Sequence, residues 1–241
     1  MSKFDSIPQF QYKPMSGGRL FHSGAGSSYQ RISGNLRPFL KINRKETIEI
    51  DITAATIQFL SVVSKKYLGK NLLSKRYLSF EDPYQFFLTR LNSDSFQMQY
   101  GQNEQISRDS LKNIIYTLAY SPSRFEKSYV NRCLRLLGQR YSYLDLKDEF
   151  PEFCELIHKL KFIPLPECGD KNHPSYLLIF KEESRYAREV LKRGCLDEKF
   201  PILPLHDSFI TPKDCYSKLE KIICDVSKDL YGHVLMHKRK F

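Results

Sequence analysis

The sequence predicts an α+β fold, a small antiparallel sheet with helices on one face, joined to a mainly helical part. Three observations carry this expectation. Thr47-Ile-Glu-Ile-Asp-Ile52 alternates apolar and polar residues with a period of two, the mark of a half-buried strand. Ile202–Leu205 and Phe209–Ile210 are short apolar runs flanking His206-Asp207, which reads as a hairpin with an acid at its turn. Between and after these strands, apolar residues recur at helical spacing.

Taken in order, residues 1–40 are rich in Gly, Ser and Pro and read as a loop-rich arm punctuated by Arg19, Arg31 and Arg37. In the first strand Ile48, Ile50 and Ile52 face the core, and Glu49 and Asp51 face the other way. Thr53 is placed to cap a helix through Ala54–Val63. Lys65, Lys66, Lys70, Lys75 and Arg76 make residues 64–76 basic. Glu81-Asp82-Pro83 opens another helix, with Pro near its first turn. Ile106–Tyr120 is a helix ended by Ser121-Pro122. Residues 123–140 are basic and helical, and Pro151–Lys161 and Glu182–Lys192 are further helices. Thr211-Pro-Lys-Asp214 has the form of a capping box with Pro at N1. The stripe Leu219, Ile222, Ile223, Val226 and Leu230 then runs to a stop at Gly232.

The chain has 241 residues, and 38 Lys and Arg against 27 Asp and Glu give a net charge of +11. That balance favours polyanion partners, nucleic acid before an anionic membrane surface. No apolar run approaches the ~18–20 residues of a membrane span. Met1–Gln11 has no apolar signal-peptide core, so a cytoplasmic protein is expected. The six cysteines are scattered, as free thiols in a reducing compartment would be. Cys154, His158, Cys168 and His173 form a loose Cys/His series with gaps that zinc tolerates. The first pair is Cys-His rather than Cys-Cys, however, and one helical turn accounts for it.

Chemistry concentrates in three segments. Asp51 ends the first strand, pointing away from the core. Arg108, Lys112, Tyr116 and Tyr120 repeat every fourth residue and so share one helix face. Cations followed by aromatic rings suit a triphosphate and a base. Asp207 sits in the His-Asp hairpin. Two carboxylates brought together from distant strands suit divalent metal, and two Mg²⁺ ions about 3.5–4 Å apart clamp an in-line phosphoryl transfer.

In this order the segments resemble the palm and fingers of family A DNA polymerases and of the related single-subunit RNA polymerases of phages and mitochondria. Asp51-Ile-Thr-Ala-Ala-Thr-Ile-Gln-Phe-Leu-Ser61 is similar to motif A. Arg108 to Tyr120 matches motif B, R-x-x-x-K-x-x-x-[FYM]-x-x-x-Y. Leu205-His-Asp-Ser-Phe209 resembles motif C, closest to the RNA-polymerase form. Gly18-Arg19-Leu20, Gln30 and Leu36-Arg37 look like the pre-palm segment, Asp82-Pro-Tyr84 like the opening of a fingers helix, and Glu183-Ser184 like a segment before motif C in polymerase-like proteins of mobile elements.

The resemblance implies roles. Asp51 and Asp207 bind two Mg²⁺ ions, for which Mn²⁺ substitutes, helped by the Ile52 carbonyl. Lys112 contacts the incoming triphosphate and donates a proton to pyrophosphate, and Arg108 binds the outer phosphates. Tyr116 sits beside the sugar and Tyr120 near the base pair. Thr56 stands where DNA polymerases of the family carry a Glu that excludes ribose. Arg19, Gln30, Arg37, Gln58 and His206 lie against nucleic acid. The partners implied are a DNA primer–template and nucleoside triphosphates, with no membrane. The layout implied is 1–45 arm and pre-palm, 46–80 palm with motif A, 81–165 fingers, and 166–241 palm with motif C and a C-terminal helix. No room is left for a thumb or an exonuclease domain, so the expectation is a minimal polymerase, a fragment, or a subunit whose partner supplies the grip. A bacterial, phage or mobile-element source fits. Use of NTPs by an RNA polymerase or primase-like enzyme, and a catalytically silent nucleic-acid-binding subunit, are the alternatives.

Overall fold

The computed structural model describes residues 12–14, 20–22, 30, 32–69, 82–100, 105–120, 126–163 and 176–241. In chain order its strands are β1 (Tyr12–Pro14), β2 (Leu20–His22), β3 (Lys41–Ile42), β4 (Lys45–Ile52), β5 (Leu203–Leu205), β6 (Ser208–Pro212) and β7 (His237–Lys240). Its α-helices are α1 (Ala55–Leu68), α2 (Tyr84–Leu91), α3 (Asp94–Tyr100), α4 (Arg108–Tyr120), α5 (Glu126–Leu136), α6 (Tyr143–Glu149), α7 (Pro151–Leu160), α8 (Tyr176–Leu191) and α9 (Tyr216–Tyr231). The fold is α+β. Two compact units compose it, one of Met1–Ile52 with Glu183–Phe241, the other of Thr53–Glu182.

The first unit is built on a five-stranded antiparallel sheet in the order β3-β4-β6-β5, with β7 also on β4. β4 is central. β6 pairs with it from Thr47 to Asp51, while β3 and β7 take successive stretches of its other edge. Ile48, Ile50 and Ile52 are buried as the alternation predicts, and Phe209 joins them. The Phe209 ring meets Tyr186 of α8 edge-on at 6.1 Å. Tyr186 in turn donates its hydroxyl to Ile223 O of α9 (3.1 Å) and accepts from Ser227 Oγ (3.2 Å). Burial holds that phenol's pKa well above its ordinary value. The α9 stripe of Leu219, Ile222, Ile223 and Val226 is buried, and Gly232, at φ 78°, closes the helix in the left-handed region.

Four expectations need correction. Thr53 does not cap α1. The capping position is Ala54, itself left-handed at φ 47° and without a side-chain bond, and the helix continues to Leu68. Thr211 does not open a capping box either. It lies in β6 opposite Ile48, fully buried, and its hydroxyl donates to Pro201 O (2.9 Å), so the sheet has already claimed it. A short 3-10 turn (Lys213–Cys215) intervenes before α9. Tyr231 rather than Leu230 completes the buried stripe. Glu49 faces away from the isoleucines yet is only 1% exposed, so that face of β4 is covered too.

In the second unit every residue from Ala55 to Ser64 is buried. Phe87, Phe150 and Phe153 form an aromatic cluster with centroids 4.9 Å apart in two of its pairs. Leu111, Ile114, Ile115 and Leu118 are the buried face of α4. The buried Cys154 thiol donates to Leu146 O, and the exposed His158 packs edge-on against Phe162. Cys168 and His173 lie outside the described residues. No described helix is long and apolar enough to cross a membrane.

Candidate active site

Backbone bonding fixes Asp51 and Asp207 to the same end of the sheet. Asp51 is paired with Ser208 across β4 and β6, and Leu205 with Ser208 across β5 and β6, which leaves His206-Asp207 as a two-residue turn. Ile52 N–H donates to Asp207 O (2.9 Å), carrying the β4–β6 ladder one step into that turn. Ser208 Oγ braces it from below by donating to Leu205 O (3.1 Å). His206 adopts φ 53°, in the left-handed region, and its side chain is exposed. Asp207 is half-buried, and the Asp51 side chain is 16% exposed.

Three further charges gather on the Asp51 face of β4. Lys240, opposite Glu49 in the β4–β7 register, places Nζ 2.8 Å from Asp51 Oδ1 and 3.4 Å from Glu49 Oε1. Arg37 Nη1 stands 3.5 Å from the same Glu49 oxygen, and Arg37 Nε donates to Ile32 O. Burial works against the charge on Lys240, but the hydrogen bond to Asp51 and the fields of Asp51, Glu49 and Asp207 outweigh it and raise the lysine's pKa. Gln30 Nε2 donates to Pro204 O at 3.4 Å. Arg19 lies outside the described residues.

Among the described residues no group of three or more His, Cys, Asp and Glu is arranged to hold a metal. Two hard carboxylates and the Ile52 carbonyl are what this end of the sheet offers. Mg²⁺ fits such a donor set, because it is commonly bound through one or two carboxylates and completes its shell with water and substrate phosphates.

In the second unit α4 presents its basic and aromatic face. Arg108 is engaged: Nε donates to Asp82 Oδ2 (2.7 Å), and the guanidinium lies over the Tyr84 ring at 4.7 Å. The hydrogen bond it donates to Asp82 raises the Arg108 pKa further. Asp82 also accepts from Tyr84 N–H (3.1 Å), so one carboxylate both starts α2 and ties it to α4. Lys112 is half-exposed, sits 5.5 Å from the Tyr116 ring centroid, and has no ion pair among the described residues. It is the cation of this face that a phosphate meets with least competition. Tyr120 is the last residue of the helix. Thr56 is 8% exposed on α1, and Gln58, at 4%, donates Nε2 to Thr53 O, fastening the left-handed turn that starts the helix.

Family models and curated proteins both give no match to the chain. Among solved structures it is similar to the POL domain of Pol1 from M. smegmatis, in complex with DNA primer-template and dNTP, with a TM-score of 0.54 at 13% identity. The match covers 93% of this chain and 45% of that one, so the chain spans less than half its length. The likeness is one of fold. The polymerase-like α+β architecture expected from the motifs is therefore present.

Sequence reasoning missed Lys240, Glu49 and Asp82 as parts of these constellations. For Asp82 a signal existed in the Asp-Pro that opens a helix. For Lys240 there was none, since His237-Lys-Arg-Lys240 reads as a solvated tail.

Proposed function

We propose that the chain is a template-directed nucleotidyltransferase, a minimal family A-type DNA polymerase that adds nucleotides to a 3′ end on a DNA template and releases pyrophosphate. The observation that supports this reading is the backbone bond between Ile52 and Asp207, which brings two acids from distant segments to neighbouring backbone positions in a fold similar to a DNA polymerase domain. Asp51, Asp207 and the Ile52 carbonyl are the residues that would hold Mg²⁺ or Mn²⁺. A metal held there would supply Lewis-acid chemistry, lowering the pKa of an attacking hydroxyl and neutralising charge on the phosphates. Lys112 would bind the triphosphate and donate a proton to pyrophosphate. Arg108, released from Asp82, binds the outer phosphates, and Tyr116 and Tyr120 flank sugar and base. His206, beside the acid, approaches the primer terminus. Arg37 and Gln30, with Arg19, track the nucleic-acid backbone.

Two sequence observations favour a second reading, with ribonucleotides as substrates. Thr56 replaces the acid that excludes ribose, and Leu205 to Phe209 has the RNA-polymerase form. Incubating labelled primer–template with Mg²⁺ and either dNTPs or NTPs separates the two, and no extension with either refutes both.

Lys112→Ala is expected to lower kcat/KM for the nucleotide by about 100-fold, the loss of one charge-assisted phosphate contact. Fluorescence anisotropy should show primer–template affinity unchanged. If DNA affinity collapses instead, Lys112 grips the duplex.

With a net charge of +11, DNA affinity is expected to fall steeply, by a factor of ten or more, between about 50 and 200 mM salt as counterions are released. An affinity that does not move over that range would exclude a phosphate-dominated interface.

A further inference from the structure

The cation that holds Asp51 belongs to the chain itself. β7 is paired with the stretch of β4 from Glu49 to Ile52, so the ladder fixes the Lys240 backbone, and only its flexible four-carbon stem is free to swing. Its ammonium, 2.8 Å from Asp51 Oδ1, supplies positive charge where a metal ion would. The two cannot share the oxygen comfortably. A Mg²⁺ bound to Asp51 lies about 2.1 Å from its ligand oxygen, which puts the ammonium within about 5 Å of a doubly charged ion.

We propose that Lys240 is the built-in counter-ion of the candidate metal site: it holds Asp51 when no divalent ion is there and swings away when one binds, so the last strand sets how tightly the site takes metal. Glu49 gives it a destination. That carboxylate is buried and 3.4 Å from the same Nζ through Oε1. Its other oxygen, Oε2, is buried with no hydrogen-bond partner among the described residues. Besides Lys240, Arg37 is the one cation near Glu49 among the described residues. An ammonium moving from Asp51 onto Glu49 satisfies that oxygen and frees the metal ligand in one step. While no metal is bound, the ammonium on Asp51 also offsets the repulsion between Asp51 and Asp207. Lys240 is thus a positioning residue acting through Asp51, and the inference rests on Asp51 being a metal ligand as read above.

The test is Mn²⁺ binding to the full chain without nucleotide, followed by the EPR signal of free Mn²⁺. Lys240→Met is expected to bind Mn²⁺ at least tenfold more tightly than the wild type, and adding Asp51→Asn should erase the gain. Equal affinities for wild type and Lys240→Met, both weakened by Asp51→Asn, would overturn the counter-ion role and leave the metal-ligand reading standing. Binding indifferent to Asp51→Asn in both backgrounds would overturn that reading and the proposal with it. Should Lys240→Met fail to fold because Glu49 has lost its lysine, Glu49→Gln/Lys240→Met makes the same comparison without an unpaired buried carboxylate.

Discussion

Asp207→Ala and Asp51→Ala are each expected to reduce primer extension by at least about 1,000-fold, roughly 4 kcal/mol of lost transition-state stabilisation. The protein should remain folded and still bind primer–template. The structure gives the reason for the split. The bond joining the turn to β4 runs from Ile52 N–H to the Asp207 carbonyl, a backbone group that alanine also possesses. Asp51 likewise holds its register with Ser208 through the main chain. Deleting either carboxylate removes a candidate metal ligand and leaves the ladder in place. Single-turnover extension, thermal melting and anisotropy measure the three quantities separately. Wild-type extension by either variant would dismiss the two-metal reading.

Phe209→Ala is expected to cost about 3–5 kcal/mol of stability, as large-to-small changes of buried aromatics do, and to lower Tm by about 10 °C. Phe209 is 1% exposed, lies opposite Ile50 and packs against Tyr186, two residues after the acid of the turn. It joins the acid-bearing hairpin to the helical layer. Urea denaturation gives the loss as a shift in midpoint at constant slope. Phe209→Leu, which keeps most of the volume, should recover more than half of it. A loss under 1 kcal/mol for alanine would mean that the hairpin stands without this contact.

The parts of the fold that announce themselves in the sequence are those decided by local pattern. Thr47–Ile52 alternates because one face meets the helices, and His206-Asp207 interrupts two apolar runs because a turn must. The face of α4 is legible from the four-residue spacing alone. What stays hidden depends on partners far along the chain. Glu49 reads as solvent-facing until Arg37 and Lys240 cover it. β7 carries no alternation, since an edge strand rich in lysine is kept charged to discourage pairing with other chains. Arg108 looks free for phosphate, but Asp82, 26 residues earlier, has taken it. Thr53 and Thr211 each sit where a helix cap belongs; the sheet claims Thr211, and the left-handed turn at Ala54 starts α1 one residue past Thr53.

The left-handed backbone at His206 sets stability against chemistry in this turn. A residue with a Cβ pays about 1–2 kcal/mol there, and glycine pays almost nothing. Random mutagenesis selected only for heat resistance would therefore favour His206→Gly, giving a sturdier hairpin with no imidazole beside the acid. If the imidazole serves the primer end as proposed, that selection would drift toward a more durable and less active protein. Anyone engineering a thermostable form should hold this one position fixed and seek the gain elsewhere.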